Sequence, residues 1–141
     1  MKLTPYLSFN GQCEEAFKLY AQCLHGKIEF LMTYDSRPAE FPVPPEWHKK
    51  IMHATLSVGD QILQGADVMP GGYQKPQGFT LTLGLKDVAE AERIFKALAE
   101  KGTVGMPLQE TFWAARFGML TDRFGIPWAI NCEAPATQEK H

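Results

Sequence analysis

Glu15-Ala16-Phe17-Lys18-Leu19-Tyr20 recurs 75 positions later as Glu90-Ala91-Glu92-Arg93-Ile94-Phe95. Extended outward, Ala16, Leu19, Tyr20, Cys23 and Leu24 stand at i, i+3, i+4, i+7 and i+8, and Ala91, Ile94, Phe95, Leu98 and Ala99 repeat the stripe. That spacing predicts two amphipathic helices that bury equivalent faces, so the chain reads as one unit built twice. Paired half-units leave a cleft between their sheets, and clefts between repeats are where ligands bind.

Around each helix the same order of elements is expected. Leu3 to Phe9 has strand composition, Asn10-Gly11 makes a turn with Asn10 as N-cap, and a helix follows from about Gln12 to His25, closed by Gly26 at C′. Strands are predicted over Lys27 to Asp35, Lys50 to Val58 and Gln61 to Ala66, with Gly59-Asp60 as a tight turn. The proline-rich stretch from Ser36 to Trp47 reads as irregular, either a plain connector or a lid carrying Phe41 and Trp47. Residues 68–77 form the linker between repeats 1–67 and 78–132, and its Gly71-Gly72 pair is no phosphate cradle, since no Lys-Ser/Thr opening a helix follows.

In the second half, Gly78 to Gly84 alternates Phe79, Leu81 and Leu83 with Thr80 and Thr82. Asp87 as N-cap and Glu90 at N3 suggest a capping box, and the helix ends before Gly102. Strands follow near Thr103 to Phe112, Arg116 to Thr121 and Gly125 to Cys132, with Asp122 to Gly125 as a hairpin turn and Glu133 to His141 as a disordered tail. The fold class is therefore α+β: two tandem βαβββ modules in one domain, each a curled mixed sheet with its helix on the convex side. Met52, Leu56, Phe79 and Leu81 are expected to face the helices, and Ile51, His53, Thr55, Thr80 and Thr82 the concave side.

Composition narrows the partners. Lys+Arg 14 against Asp+Glu 16 gives a net charge of -2 with no basic cluster, so nucleic acid is excluded as an expectation. No apolar run approaches the roughly 18 residues of a membrane span, and the start lacks a signal-type h-region, which suggests a soluble cytoplasmic protein. Cys13, Cys23 and Cys132 have neither disulfide nor zinc spacing. Cys23 reads as a core hydrophobe, while Cys13 falls in the first helical turn, where the dipole would lower a thiol pKa.

Pro5-Tyr6-Leu7-Ser8-Phe9-Asn10-Gly11, Asp67-Val68-Met69-Pro70, Gln109-Glu110-Thr111-Phe112-Trp113-Ala114 and Asp122-Arg123-Phe124-Gly125-Ile126-Pro127-Trp128 span nearly the whole chain. With the doubled βαβββ unit, they resemble the PhnB-like branch, often labelled demethylubiquinone methyltransferase-like, of the vicinal oxygen chelate superfamily of glyoxalases, bleomycin-resistance proteins and dioxygenases. The residues do not support the methyltransferase label, because Asn10-Gly11-Gln12-Cys13 is not the Gly-rich loop of a doubly wound fold.

The resemblance implies a homodimer and, in metal-using members, one ligand from the first and last strand of each half. Here those positions fall on Pro5, Thr80, Leu63 or Gln64, and Ala129, of which Gln64 alone is a weak donor. No metal or other cofactor is therefore expected, unless a divalent ion enters at a displaced site through His53, Glu110 or Asp122. The candidate catalytic residues are His53 and Glu110 as an acid–base pair; the candidate ligand-binding residues are Gln64, Thr80, Trp113, Arg116 and Phe117. Trp128 reads as core. Three functions stay open: a binding protein of the bleomycin-resistance type, a glyoxalase- or dioxygenase-like enzyme, and a purely structural or interaction role.

Overall fold

The computed structural model describes residues 1–36 and 43–134, and the chain divides into two units, Met1–Gln74 and Lys75–His141. In the first unit, β1 (Tyr6–Phe9), α1 (Cys13–Leu24), β2 (Lys27–Thr33), β3 (Ile51–Val58) and β4 (Gln61–Asp67) form a mixed sheet in the order β1-β4-β3-β2. β1 runs parallel to β4, and the other pairs are antiparallel. The second unit repeats this with β5 (Leu81–Leu85), α2 (Val88–Ala99), β6 (Thr103–Gln109), β7 (Ala114–Thr121) and β8 (Pro127–Glu133), in the order β5-β8-β7-β6.

The length of the helices follows from this order. Each must carry the chain from one sheet edge to the other, across three strand spacings of about 4.8 Å, or about 14 Å. Twelve helical residues rise about 18 Å, enough for the crossing with less than a turn to spare.

Each helix buries one stripe on its own sheet. In α1 the buried residues are Cys13, Ala16, Phe17, Tyr20 and Cys23; in α2 they are Ala91, Ile94, Phe95 and Leu98. The repeat is looser than the sequence suggests, because Phe17 is fully buried in the first stripe and its counterpart is Glu92. Glycines in the sheets make room for the rings. A Cβ on Gly65 would stand 3.1 Å from Phe17 and from Phe9, and one on Gly118 would stand 2.8 Å from Phe95 and 2.9 Å from the Leu108 backbone. A larger residue at either position would lift its helix off the sheet.

Several local expectations need correction. Gly26 does not supply the left-handed turn that ends α1; His25 does, at φ 55, and Lys101 does the same after α2 at φ 62. Gly26 is required for a different reason, since a Cβ there would meet the Ser57 carbonyl at 2.7 Å. No capping box forms at Asp87, for Glu90 turns instead to the Arg93 guanidinium at 3.0 Å. Asn10 does not cap α1 either. The Asp67 carboxylate does so from 54 residues away, accepting the Cys13 N–H at 2.9 Å.

The alternation in β3 slips at Met52, where the register with β2 shifts, so Ile51 turns into the core rather than toward the open face. Phe79 is exposed ahead of β5 and faces no helix. Glu133 belongs to β8 rather than to a tail, and residues 135–141 lie outside the described residues. β2 stops at Thr33 and a 3-10 turn at Tyr34–Ser36 replaces the end of the expected strand, while a second before β3, at Pro45–Trp47, gives regular backbone where prolines suggested none. Trp47 is buried there against Tyr34, with ring centroids 5.9 Å apart, and so anchors this connection; Phe41 lies outside the described residues. Among the described residues no helix is long and apolar enough to cross a membrane.

Gly118→Ala should lower unfolding stability by about 1–3 kcal/mol through overpacking, whereas Gly84→Ala, with nothing within 4 Å, should be neutral or stabilising. Urea unfolding of the two variants checks this.

Candidate functional site

In each unit the helix covers one sheet face and leaves the other free of helix. On the first sheet, Leu7, Gly65, Ala54 and Leu31 occupy one cross-strand row and lie on the helix side. The next row, Tyr6, Gln64, Thr55 and Phe30, points the other way, and His53 stands on that same face opposite Met32. This is the polar face on which the sequence places His53 and Thr55, and the structure adds Gln64 beside them.

Both imidazole nitrogens of His53 are engaged. Nδ1 lies 3.1 Å from the Tyr6 hydroxyl and Nε2 3.3 Å from the Thr55 hydroxyl. The rings of Tyr6 and Phe30 flank the imidazole at 5.7 and 5.9 Å. Tyr6 and Phe30 are half-exposed, while His53, Thr55 and Gln64 are partly buried. Burial, together with the ionisable Cys13 and Tyr34 nearby, raises the Tyr6 pKa, so its phenol stays protonated. The face thus combines two hydroxyls, an imidazole and an amide with two aromatic rings, and the four strands carrying them fix its geometry.

Tyr6 and Phe30 were not singled out by sequence. Tyr6 reads there as one aromatic in a short strand, and the pairing of β1 with β4, and of β4 with β3, brings it to a histidine 47 residues away.

The other candidates are placed differently. Glu110 is exposed between β6 and β7, in the second unit, whereas His53 is in the first. Thr80 is exposed just ahead of β5. Phe117 stands beside Asn131 on the face of the second sheet opposite α2, with Trp113 5.4 Å from it and Phe112 a further 4.8 Å from Trp113. A turn presents this aromatic group: Thr111 N–H donates to the Ala114 carbonyl, and Ala114 N–H to the Thr111 hydroxyl, both at 3.1 Å. Arg116 is not part of it. It pairs in register with Cys132 on the α2 side, where its Nε lies 4.0 Å from Glu92.

Both buried carboxylates are committed to N–H groups of the protein. Asp67 accepts the N–H groups of Cys13 and Ile51 at 2.9 and 2.8 Å. Asp122 accepts those of Phe124 and Ile126 at 2.9 and 3.0 Å and the Trp128 indole at 2.9 Å, which also fixes Trp128 in the core. The four positions that correspond to metal ligands offer a single amide, and among the described residues no group of three or more His, Cys, Asp or Glu could hold an ion.

Cys13 reverses an expectation. It is fully buried, and burial, followed by the charges of Asp67 and Glu14, pushes its pKa well up despite its place in the first turn.

Residues 1–131 match the family described as 3-demethylubiquinone-9 3-methyltransferase. The chain belongs to this family. Its PhnB-like character shows in a structure from Bacillus cereus, a putative 3-demethylubiquinone-9 3-methyltransferase called PhnB protein, which is 25% identical with a TM-score of 0.81 over 94% of this chain and 99% of that one. Protein PA1353 from Pseudomonas aeruginosa is 48% identical, with a TM-score of 0.86 over 94% of this chain and 98% of its own. Protein YjdN from Escherichia coli strain K12 is 35% identical, covering 93% of this chain and 95% of that protein. A glyoxalase/bleomycin resistance protein/dioxygenase family enzyme from Burkholderia phytofirmans, 11% identical over 93% of this chain and 97% of its own, shares the fold with a TM-score of 0.62. The PhnB-like chain thus has a vicinal oxygen chelate fold, and its mixed four-stranded sheets are not the doubly wound parallel sheet of nucleotide-binding methyltransferases.

Because folding raises the Cys13 pKa, the thiol's contribution to stability is complete below the unfolded value of 9.0 and is lost as pH rises above it, where only the unfolded chain gives up its proton. Thermal unfolding midpoints should fall between pH 8.5 and 10.5 (~two units spanning the thiol range), and the fall should be shallower in Cys13→Ala.

Proposed function

We propose that this chain binds a small molecule on the helix-free face of its first sheet, holding it by hydrogen bonds and aromatic contact, with no resident metal ion. The observation that carries this reading is the single face on which Tyr6, His53, Thr55, Gln64 and Phe30 meet. Small-molecule sites join an apolar or aromatic surface to a few fixed polar groups, and this face has both on strands rather than loops. Membership of a superfamily that includes bleomycin-resistance proteins is consistent with binding without turnover. A homodimer working in the cytoplasm, as the resemblance implies, belongs to the same proposal.

Support for an acid–base enzyme is weaker. His53 has its two nitrogens directed at neutral hydroxyls, and Glu110 is an exposed residue of the other unit. Among the described residues no carboxylate is hydrogen-bonded to the imidazole to orient it as a base.

The test is an NMR screen of the isotope-labelled chain against a small-molecule fragment library. Hits should shift resonances of Tyr6, His53, Thr55 and Gln64 together. The variant His53→Ala, which removes the hub of the hydrogen-bond group, should weaken those hits by about tenfold. Hits that cluster elsewhere, or bind the variant equally well, would sink the proposal.

A further inference from the structure

The charge pattern of this face says which class of molecule it takes. No lysine, arginine, aspartate or glutamate stands in the row Tyr6, Gln64, Thr55 and Phe30, nor at the His53 and Met32 pair beside it. The charged side chains beyond Thr55, Lys27 and Glu29, lie 4.0 Å from each other, and Glu29 also accepts from the Ser57 hydroxyl at 2.7 Å. Charge on this side is therefore spent locally. An ionic ligand would lose hydration on the face and gain no counter-charge from the residues of these rows.

The hydrogen-bond directions are equally informative. A phenol is a better donor and poorer acceptor than an aliphatic hydroxyl, so the favoured arrangement has Tyr6 donating to Nδ1 of His53. Nε2 then carries the ring proton and donates to the Thr55 oxygen. The Thr55 hydrogen is left to point outward as a donor. Gln64, next to it in register, offers both an amide donor and an acceptor. The rings of Tyr6 and Phe30 flank these groups and are half-exposed, which suits a flat partner.

We propose that the face takes an uncharged planar molecule bearing a carbonyl-type acceptor, whose oxygen is held by the Thr55 hydroxyl and the Gln64 amide and whose ring lies against Tyr6 and Phe30. This rests on the reading of the face as a binding site. A tautomer held by Tyr6 makes the selection one of hydrogen-bond polarity as well as charge.

The probes are benzamide and benzoate, which share shape and differ in charge, and cyclohexanecarboxamide, which keeps the acceptor and loses the plane. Each is titrated into the isotope-labelled full chain and followed by NMR. Benzamide should shift Thr55, Gln64 and the His53 ring, and should bind about tenfold more tightly than benzoate or cyclohexanecarboxamide. Thr55→Val, which keeps shape and strand preference, should weaken benzamide about tenfold with the rest of the spectrum unchanged. Nitrogen shifts of His53 in the free chain should report the Nε2–H form, and Tyr6→Phe should release that preference. Benzoate binding as tightly on the same resonances would overturn the ligand class and leave the binding face standing. If benzamide shifts none of these residues, the ligand class falls, and the fragment screen with His53→Ala then decides separately whether the face binds at all; a free-chain Nδ1–H form would overturn the outward Thr55 donor and with it the acceptor chemistry.

Discussion

A buried carboxylate at the end of β4 sets the geometry of the first unit. Asp67 accepts one N–H from the first turn of α1 and another from the start of β3, so a single side chain fixes helix, central strands and their mutual height. The main chain at Asp67 takes part too, its carbonyl accepting the Tyr34 hydroxyl at 2.6 Å. With the start of α1 held, the Phe17 ring comes down over Gly65, and the sheet's other face is left free for the polar row. Hydrogen bonds to an ionised acceptor are among the stronger ones available to a protein, and two buried N–H groups would otherwise go unmet.

The second unit reaches the same architecture by a different fastening. Its buried carboxylate, Asp122, lies in the β7–β8 turn and gathers two turn N–H groups and the Trp128 indole. The position that matches Asp67 by strand pairing is Cys132. The open faces differ as well, for Thr82, Ala129 and Met119 stand in a row where the first sheet has Tyr6, Gln64 and Thr55. Duplication has preserved the helix stripe and the strand order while the polar chemistry has diverged.

This division explains what the sequence discloses. The stripe Ala16, Tyr20, Cys23 and its repeat obey a local period, and the hairpin turns at Gly59 and Gly125 obey local backbone rules, so both were legible. The face of His53 was legible too, because strand parity is local, although the slip at Met52 was enough to misplace Ile51. Long-range contacts leave no such trace. Neither the cap that Asp67 provides nor the Tyr6 hydroxyl on His53 can be found by spacing, since both arise from pairing β1 with β4 across more than forty residues. Cys13 failed for a related reason: its place in the first turn suggested a lowered pKa, and burial, invisible in a pattern, dominates.

The tryptophan captured by Asp122 gives the chain an unplanned set of reporters. Trp128 is sealed in the core of the second unit with its indole N–H on a carboxylate, Trp47 is buried in the first unit against Tyr34, and Trp113 is about half open to solvent. Emission follows the polarity and relaxation of the local medium, so the two buried indoles are expected to emit to the blue of the half-exposed Trp113. Each unit therefore carries its own interior lamp, with a third at the surface, and the loosening of either unit would move the emission of its own buried indole to the red.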